Sequence, residues 1–93
     1  MPFVYILKCR DNTFYTGCAR DLKARIRKHQ SGRGAKYTRG RLPVRLMYSE
    51  ACGSMGDALR RECEIKRLSR MQKTALIRSR QSGPSFTQRT SNE

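Results

Sequence analysis

Glu62 is the residue whose position most clearly suggests chemistry. It lies in a predicted helix that begins at the capping residue Ser54. At about 100° per residue, Glu62 falls near the middle of an apolar stripe that includes Ala58 and Ile65. A carboxylate buried without a partner costs considerable free energy, so it needs a cation, a metal ion or hydrogen-bond donors. An ordinary ion pair with Lys66, one helical turn later, meets the same need and stays open.

Two further pairs have spacings that allow them to act together. Arg25 and His29 are four residues apart, so they lie on one side of a predicted helix together with Ile26. Tyr5 and Tyr15 lie on two predicted strands. They share a face of the sheet if the residue numbers of positions paired across these strands add up to an even number. Simple packing of these side chains is the alternative, because histidine and tyrosine are common in cores and strands.

Periodicity and turn residues place the elements that must position these side chains. Two segments rich in β-branched and aromatic residues predict a hairpin whose second strand ends at Gly17, and Asp21 is placed to cap the next helix. The segment 32–43 combines Gly, Pro and basic residues without periodicity, which predicts an exposed basic loop. The predicted strands are 3–9, 14–16 and 44–49, and the predicted helices are 22–31, 54–68 and 69–77.

The chain of 93 residues is long enough for one small domain, for which we predict residues 1–78, followed by a disordered polar tail at 79–93. The net charge is +14, which favours an anionic polymer as partner. No apolar run is long enough to cross a bilayer, and residues 1–6 lack the pattern of a secretory signal, so we expect a cytoplasmic protein. The four cysteines lack a zinc-binding spacing, so we expect free thiols and no zinc.

The excess charge is concentrated between residues 20 and 45, where ten basic side chains accompany one acid. Such a surface binds the backbone phosphates of a nucleic acid and discriminates little between base sequences. Tyr37 lies among these basic residues and can either stack on an unpaired base or be solvated in a mobile loop. The residues expected to bind nucleic acid are Arg20, Lys23, Arg27, Lys28, Arg33, Lys36, Tyr37, Arg39 and Arg41.

Four short motifs together resemble those of the GIY-YIG endonuclease family. They are V-Y at residues 4–5, Y-T-G at 15–17, L-x-x-R-I-x-x-H at 22–29 and A-L-x-x-E at 58–62. The loop A-K-Y-T-R-G-R-L-P-V at 35–44 is similar to that of the short stand-alone bacterial members. The resemblance covers residues 3 to about 77 and implies an α+β fold, a small three-stranded antiparallel sheet flanked by about three helices.

The activity that this resemblance implies is hydrolysis of phosphodiester bonds with one divalent metal ion, Mg²⁺ or Mn²⁺. Tyr5 and Tyr15 would orient or deprotonate the attacking water, and His29 would share its proton. Arg25 would contact the scissile phosphate, and Glu62 would hold the metal. The expected function is an endonuclease of the DNA repair or recombination type with low sequence specificity, selective for branched, flapped or single-stranded structures. We expect it to act on DNA or RNA as a monomer or weak homodimer.

Two departures from the family pattern bear on activity. Cys18 stands where some DNA-repair members carry a lysine beside the phosphate, so one cation is missing and Lys36 is a possible substitute. No asparagine follows Glu62 until Asn92, although some members have one soon after the metal-binding helix. A non-catalytic nucleic-acid-binding module on the same scaffold is therefore the alternative function.

Overall fold

The computed structural model describes residues 1–81, which form a three-stranded sheet and four helices. The sheet is antiparallel with β1 in the centre, in the order β2-β1-β3. In chain order the elements are β1 (Phe3–Lys8), β2 (Phe14–Ala19), α1 (Leu22–Gln30), α2 (Lys36–Arg39), β3 (Arg45–Ala51), α3 (Met55–Lys66) and α4 (Arg70–Gln81). The predicted α+β fold is confirmed.

The central strand β1 is buried on both faces, because alternate side chains enter two separate apolar clusters. Val4 and Ile6 pack against α3 and α4 in one cluster. Tyr5 and Leu7 pack in the other cluster, with apolar side chains of α1 and of the segment before β3. The sheet thus separates α1 from α3, and side chains from these two helices can meet only around an edge strand.

The predicted helix caps are present in the structure. The side chain of Asp21 accepts a hydrogen bond from the Ala24 backbone at 3.0 Å and starts α1. Ser54 accepts from the Asp57 backbone at 3.1 Å and starts α3, the helix that carries Glu62. These caps fix where the two helices begin, and therefore which of their residues face the sheet.

Several boundaries differ from the prediction by one or two residues, and three differences are larger. Gly17 lies inside β2 and does not end it, because the strand continues to Ala19. The predicted irregular loop at 32–43 contains the helical turn α2. The last helix continues beyond Ile77 to Gln81, and the guanidinium of Arg80 on that extra turn lies over the Tyr48 ring at 5.2 Å.

The predicted division at residue 78 therefore falls inside α4, and residues 82–93 of the predicted tail lie outside the described residues. No helix within residues 1–81 combines the length and apolar character needed to span a membrane.

Candidate active site

The two tyrosines of the hairpin lie on the same face of the sheet. Tyr5 pairs with Gly17 and Leu7 pairs with Tyr15, so the register sum is even and the conditional prediction is confirmed. Their ring centroids are 6.4 Å apart and the planes are tilted by 45°. Both phenols belong to the cluster on the α1 side of the sheet.

Gly17 allows the Tyr5 ring to lie directly over β2. A Cβ atom at this position would lie 2.7 Å from the Tyr5 hydroxyl oxygen, and 2.9 Å from the Cζ atom that carries it. Any residue with a side chain would therefore push the phenol away. The glycine lets Tyr5, which starts on the central strand, extend its hydroxyl across the edge strand.

His29 completes the aromatic group from the far end of α1. Its ring is fully buried, with its centroid 5.8 Å from that of Tyr5 and 5.3 Å from that of Tyr15. The Nε2 atom lies 2.8 Å from the Tyr5 hydroxyl oxygen, which is hydrogen-bonding distance. Only the family resemblance predicted that His29 would lie beside the two tyrosines, and in the structure the three rings are in contact.

The protonation states of the Tyr5–His29 pair follow from its surroundings. Burial, followed by the effect of Tyr15, raises the pKa of the Tyr5 phenol above its ordinary value, although the charge of Arg25 opposes this. Burial and then the charge of Arg25 lower the pKa of His29. At neutral pH the phenol is therefore protonated and the imidazole neutral, so the Tyr5 hydroxyl can donate to His29.

Arg25 lies beside a cleft of about 450 Å³ on the α1 side of β2. Arg20 and Lys28 also line this cleft, so three guanidinium or ammonium groups surround it. Cys18 and Met55 form its other wall, and Met55 belongs to α3. The cleft therefore lies at the β2 edge, where side chains from both sides of the sheet meet.

Glu62 reaches this edge from the opposite side of the sheet. Only 16% of its side chain is exposed, as the apolar stripe predicted. Its carboxylate accepts a hydrogen bond from the Cys18 thiol at 3.3 Å and pairs with the Lys66 ammonium at 2.8 Å. The ordinary ion pair is thus present, and Cys18 connects Glu62 to the cleft that Arg25 lines.

The charge of Glu62 contributes to a raised pKa at both Cys18 and Tyr5. Burial, and then the hydrogen bond to Glu62, raise the pKa of the Cys18 thiol to about 11. The same carboxylate contributes to the raised pKa of Tyr5. Glu62 therefore acts on the phenol electrostatically across the edge strand, without direct contact.

The oxygen donors at this edge fit a metal that takes few ligands from protein. Within residues 1–81, no group of three His, Cys, Asp or Glu side chains is arranged to hold a metal ion. Glu62 offers one carboxylate with a low exposure and a replaceable ammonium partner. Mg²⁺ is commonly bound by one or two carboxylates, with water and substrate phosphate completing its octahedron.

The chain is similar to a known protein family and to several of its members. Residues 1–75 match the sequence model described as the GIY-YIG catalytic domain. The chain belongs to the GIY-YIG family. This GIY-YIG protein is 51% identical to a UPF0213 protein of Halobacterium salinarum over 77 residues, 83% of its own length and 100% of the relative. It is also 51% identical to a UPF0213 protein of Staphylococcus aureus over 78 residues, 84% of its own length and 95% of the relative.

Two solution NMR structures are similar to this GIY-YIG protein. A UPF0213 protein from Bacillus halodurans has 50% sequence identity and a TM-score of 0.56, covering 91% of this chain and 90% of that one. A protein from E. faecalis has 34% identity and a TM-score of 0.57, covering 83% and 82%. In such relatives the domain makes up most or all of the chain. The family is generally of the nuclease type, its nucleases generally use a divalent metal, and the domain suggests a nucleic-acid substrate.

The residues expected to bind nucleic acid lie on α1, on α2 and around them. Arg20, Lys23, Arg27, Lys28, Arg33, Lys36 and Arg39 are exposed. Arg41 is only partly exposed, and protein groups engage its guanidinium: Nε donates to Asp11 at 2.9 Å and Nη1 donates to the Tyr37 carbonyl at 2.7 Å.

Tyr37 is also packed against protein groups. Its ring stacks on Tyr15 with centroids 6.0 Å apart and planes at 23°, and the Arg41 guanidinium lies 4.0 Å from its centroid. The residue is still 37% exposed, so stacking on an unpaired base and solvation both stay open as predictions. A groove of about 230 Å³ beside it is lined by Tyr15, Tyr37, Lys66 and Lys73, among others.

Three residues near the site were not predicted to have a role there. Thr38 is fully buried and hydrogen-bonded to His29, although the sequence predicted an exposed loop. A Cβ atom on Gly34 would lie 2.3 Å from His29 Nδ1 and 2.8 Å from its Cα. Lys66 was considered only as an ion-pair partner, yet it supplies a positive charge close to Cys18, where the family lysine is missing.

Proposed function

We propose that this GIY-YIG protein is a metal-dependent endonuclease that hydrolyses phosphodiester bonds in DNA or RNA with little sequence specificity. The observation that carries the proposal is the buried hydrogen bond between Tyr5 and His29. The charge of Arg25 acts on both residues, and Arg25 lines a cleft together with Cys18, which donates a hydrogen bond to Glu62. A binding surface has no need of a protonated phenol and a neutral imidazole held 2.8 Å apart. General acid–base chemistry uses groups of this kind when they lie within hydrogen-bonding distance of each other.

The first part of the proposal concerns proton transfer. The raised pKa of Tyr5 means that the free phenol does not lose its proton to water at neutral pH. His29 is neutral and accepts a hydrogen bond at Nε2, so it can take the Tyr5 proton when Tyr5 receives one from the attacking water. Tyr15 packs 5.3 Å from the imidazole, measured between centroids, and limits the access of bulk water to it.

The second part of the proposal concerns the metal, for which Glu62 is the protein ligand. A bound Mg²⁺ or Mn²⁺ would stabilise the negative charge that develops on the phosphate oxygens. The Lys66 ammonium occupies the same carboxylate at 2.8 Å, so metal binding has to displace it. Because the Lys66 side chain is 54% exposed, it can leave Glu62 at a small cost in free energy.

The third part of the proposal concerns phosphate binding. Arg25 lines the cleft with Arg20 and Lys28, so a backbone phosphate entering it would meet a guanidinium fork and two further cations. The other exposed basic residues of α1 and α2 extend this surface. Binding of this kind depends on salt, with a slope of about −0.9 per phosphate contact on duplex DNA. Low sequence specificity follows, since phosphates carry no base information.

A non-catalytic nucleic-acid-binding module is the second candidate function. The Lys66–Glu62 ion pair favours it, because the pair satisfies the carboxylate without a metal. For the nuclease we also propose a DNA repair role, a cytoplasmic location and a monomeric or weakly dimeric state.

The deciding experiment compares two isosteric variants of the same helix. Purified wild type, Glu62→Gln and Glu64→Gln are incubated with plasmid, branched DNA and RNA in Mg²⁺, Mn²⁺ or EDTA. Glu64 is the matched control, since its side chain is 66% exposed and its carboxylate pairs with Arg61. We expect metal-dependent cutting by wild type and Glu64→Gln, and a loss of at least about 100-fold in Glu62→Gln with binding retained. Binding without cutting on every substrate would establish the module instead.

A further inference from the structure

The candidate base His29 belongs to a chain of hydrogen bonds that continues beyond the tyrosine. Its Nδ1 atom lies 2.9 Å from the Thr38 hydroxyl oxygen, which itself lies 2.9 Å from the Ala35 carbonyl oxygen. Tyr5 occupies the other end, 2.8 Å from Nε2. The three side chains are 0 to 1% exposed, so bulk water does not compete for these bonds.

The chemistry of the groups fixes the direction of each bond. The Ala35 carbonyl can only accept, so the single hydroxyl proton of Thr38 is donated to it. When Thr38 donates to this carbonyl, the lone pairs of its oxygen accept, and His29 Nδ1 is then the atom that carries the imidazole proton. Because a neutral imidazole has one N–H, Nε2 is left with a free lone pair that faces the Tyr5 hydroxyl.

We propose that Thr38 is a positioning residue for the Tyr5–His29 pair: it holds His29 in the Nδ1–H tautomer, so that Nε2 is the proton acceptor for Tyr5. This inference rests on the proposed nuclease function for its catalytic consequence, although the tautomer itself does not. In the opposite tautomer Nε2 would donate towards Tyr5, and the proton of the phenol would lose its buried acceptor. Thr38 lies on α2, in the segment that was predicted to be a basic loop.

The surroundings of His29 show that Thr38 is the group that decides the tautomer. Tyr5 and Tyr15 face the imidazole from the two hairpin strands, and Arg25 is the charged group that acts on it from its own helix. A hydroxyl that faces Nε2, such as that of Tyr5, can donate or accept and therefore does not select a tautomer. Thr38 has lost that freedom through its bond to the Ala35 carbonyl.

The first test measures the tautomer directly. His29 is the single histidine of the chain, so its ring nitrogens can be assigned without ambiguity in ¹H–¹⁵N long-range spectra of ¹⁵N-labelled protein at neutral pH. We expect the Nδ1–H form in wild type and in Thr38→Ser, which keeps the hydroxyl. Thr38→Val keeps the shape without the hydroxyl, so we expect the Nε2–H form to become populated. An Nε2–H signal in wild type, or an unchanged tautomer in a folded Thr38→Val, would overturn the proposal.

The second test measures the catalytic consequence. On the substrate that wild type cuts best, we expect Thr38→Val to lower the rate by about 100-fold and to change the pH profile, and Thr38→Ser to recover most of it. Full cleavage by Thr38→Val with an unchanged pH profile would contradict the positioning role. If wild type cuts no substrate, the nuclease proposal fails, while the tautomer measurement still decides whether Thr38 controls His29. Should Thr38→Val not fold, wild type and Thr38→Ser decide the tautomer between them.

Discussion

The packing of Tyr5 over Gly17 makes the substitution Gly17→Ala a direct test of the site geometry. The added Cβ would lie 2.7 Å from the Tyr5 hydroxyl oxygen and 2.9 Å from Cζ, about 0.5 to 0.7 Å short of the 3.4 Å at which ordinary contact begins. The ring is 1% exposed and has little room to move. A displacement of this size is enough to stretch its 2.8 Å hydrogen bond to His29 beyond effective range.

Overpacking of this kind costs about 1 to 3 kcal/mol. For a domain of this size, each kcal/mol lowers the melting temperature by roughly 4 to 8 °C. We therefore expect Gly17→Ala to remain folded at room temperature, with a melting temperature lower by roughly 5 to 20 °C. Thermal unfolding followed by circular dichroism measures the first effect, and cleavage rates measured well below the transition report on the Tyr5–His29 pair.

Gly40→Ala is the matched control for the same chemical change. Within residues 1–81, no heavy atom beyond the two chain neighbours lies within 4 Å of a Cβ at this position, and its φ of −92° suits alanine. We expect the melting temperature and cleavage rate of this variant to stay close to those of wild type. If Gly17→Ala behaved like Gly40→Ala in both measurements, the close approach of Tyr5 to β2 would be wrong.

Three further predictions address stability and metal binding. Burial and Arg25 lower the pKa of His29 in the folded state, so stability is complete above about pH 6.5 and falls as the pH drops through the folded pKa, by at most about 1.4 kcal/mol per pH unit. Urea unfolding of wild type and His29→Gln near pH 7.5 and 5.5 should give a steeper pH dependence for wild type, and equal slopes would contradict this. The hydroxyl of Thr16 is buried without a hydrogen-bond partner in the described part of the chain, so Thr16→Val should raise the unfolding free energy by about 1 kcal/mol, whereas a decrease would refute the placement. Lys66→Met removes a competitor for the Glu62 carboxylate and should tighten Mn²⁺ binding by roughly 1.5- to 5-fold in electron paramagnetic resonance titrations; unchanged or weaker binding would show that the two do not compete.

The elements were predictable where local signals were strong. A run of β-branched and aromatic residues placed β1, and the capping side chains of Asp21 and Ser54 placed the starts of α1 and α3. Helical periodicity alone indicated that Glu62 would be largely buried. The strand boundary at Gly17 was wrong because it is set by a tertiary contact: the space left by the missing side chain is filled by Tyr5, from a different strand.

The candidate site was less predictable, since it depends on which side chains converge at the β2 edge. Nothing in the local sequence around Thr38 indicates burial, because its neighbours Lys36 and Arg39 are charged and exposed. Its position is set by the approach of α2 to His29, which Gly34 permits by lacking a side chain. Likewise, no local pattern predicts that the Cys18 thiol connects Glu62 to the cleft.

The single turn of α2 combines two independent surfaces within four residues. Lys36 and Arg39 are exposed to solvent, while Thr38 between them is sealed against His29. Substitution of Lys36 or Arg39 can therefore change the affinity for polyanions without altering the protonation of His29. Under the proposed function, loss of the Thr38 hydroxyl would impair proton transfer, while the exposed cations of α2 would still be available to bind nucleic acid.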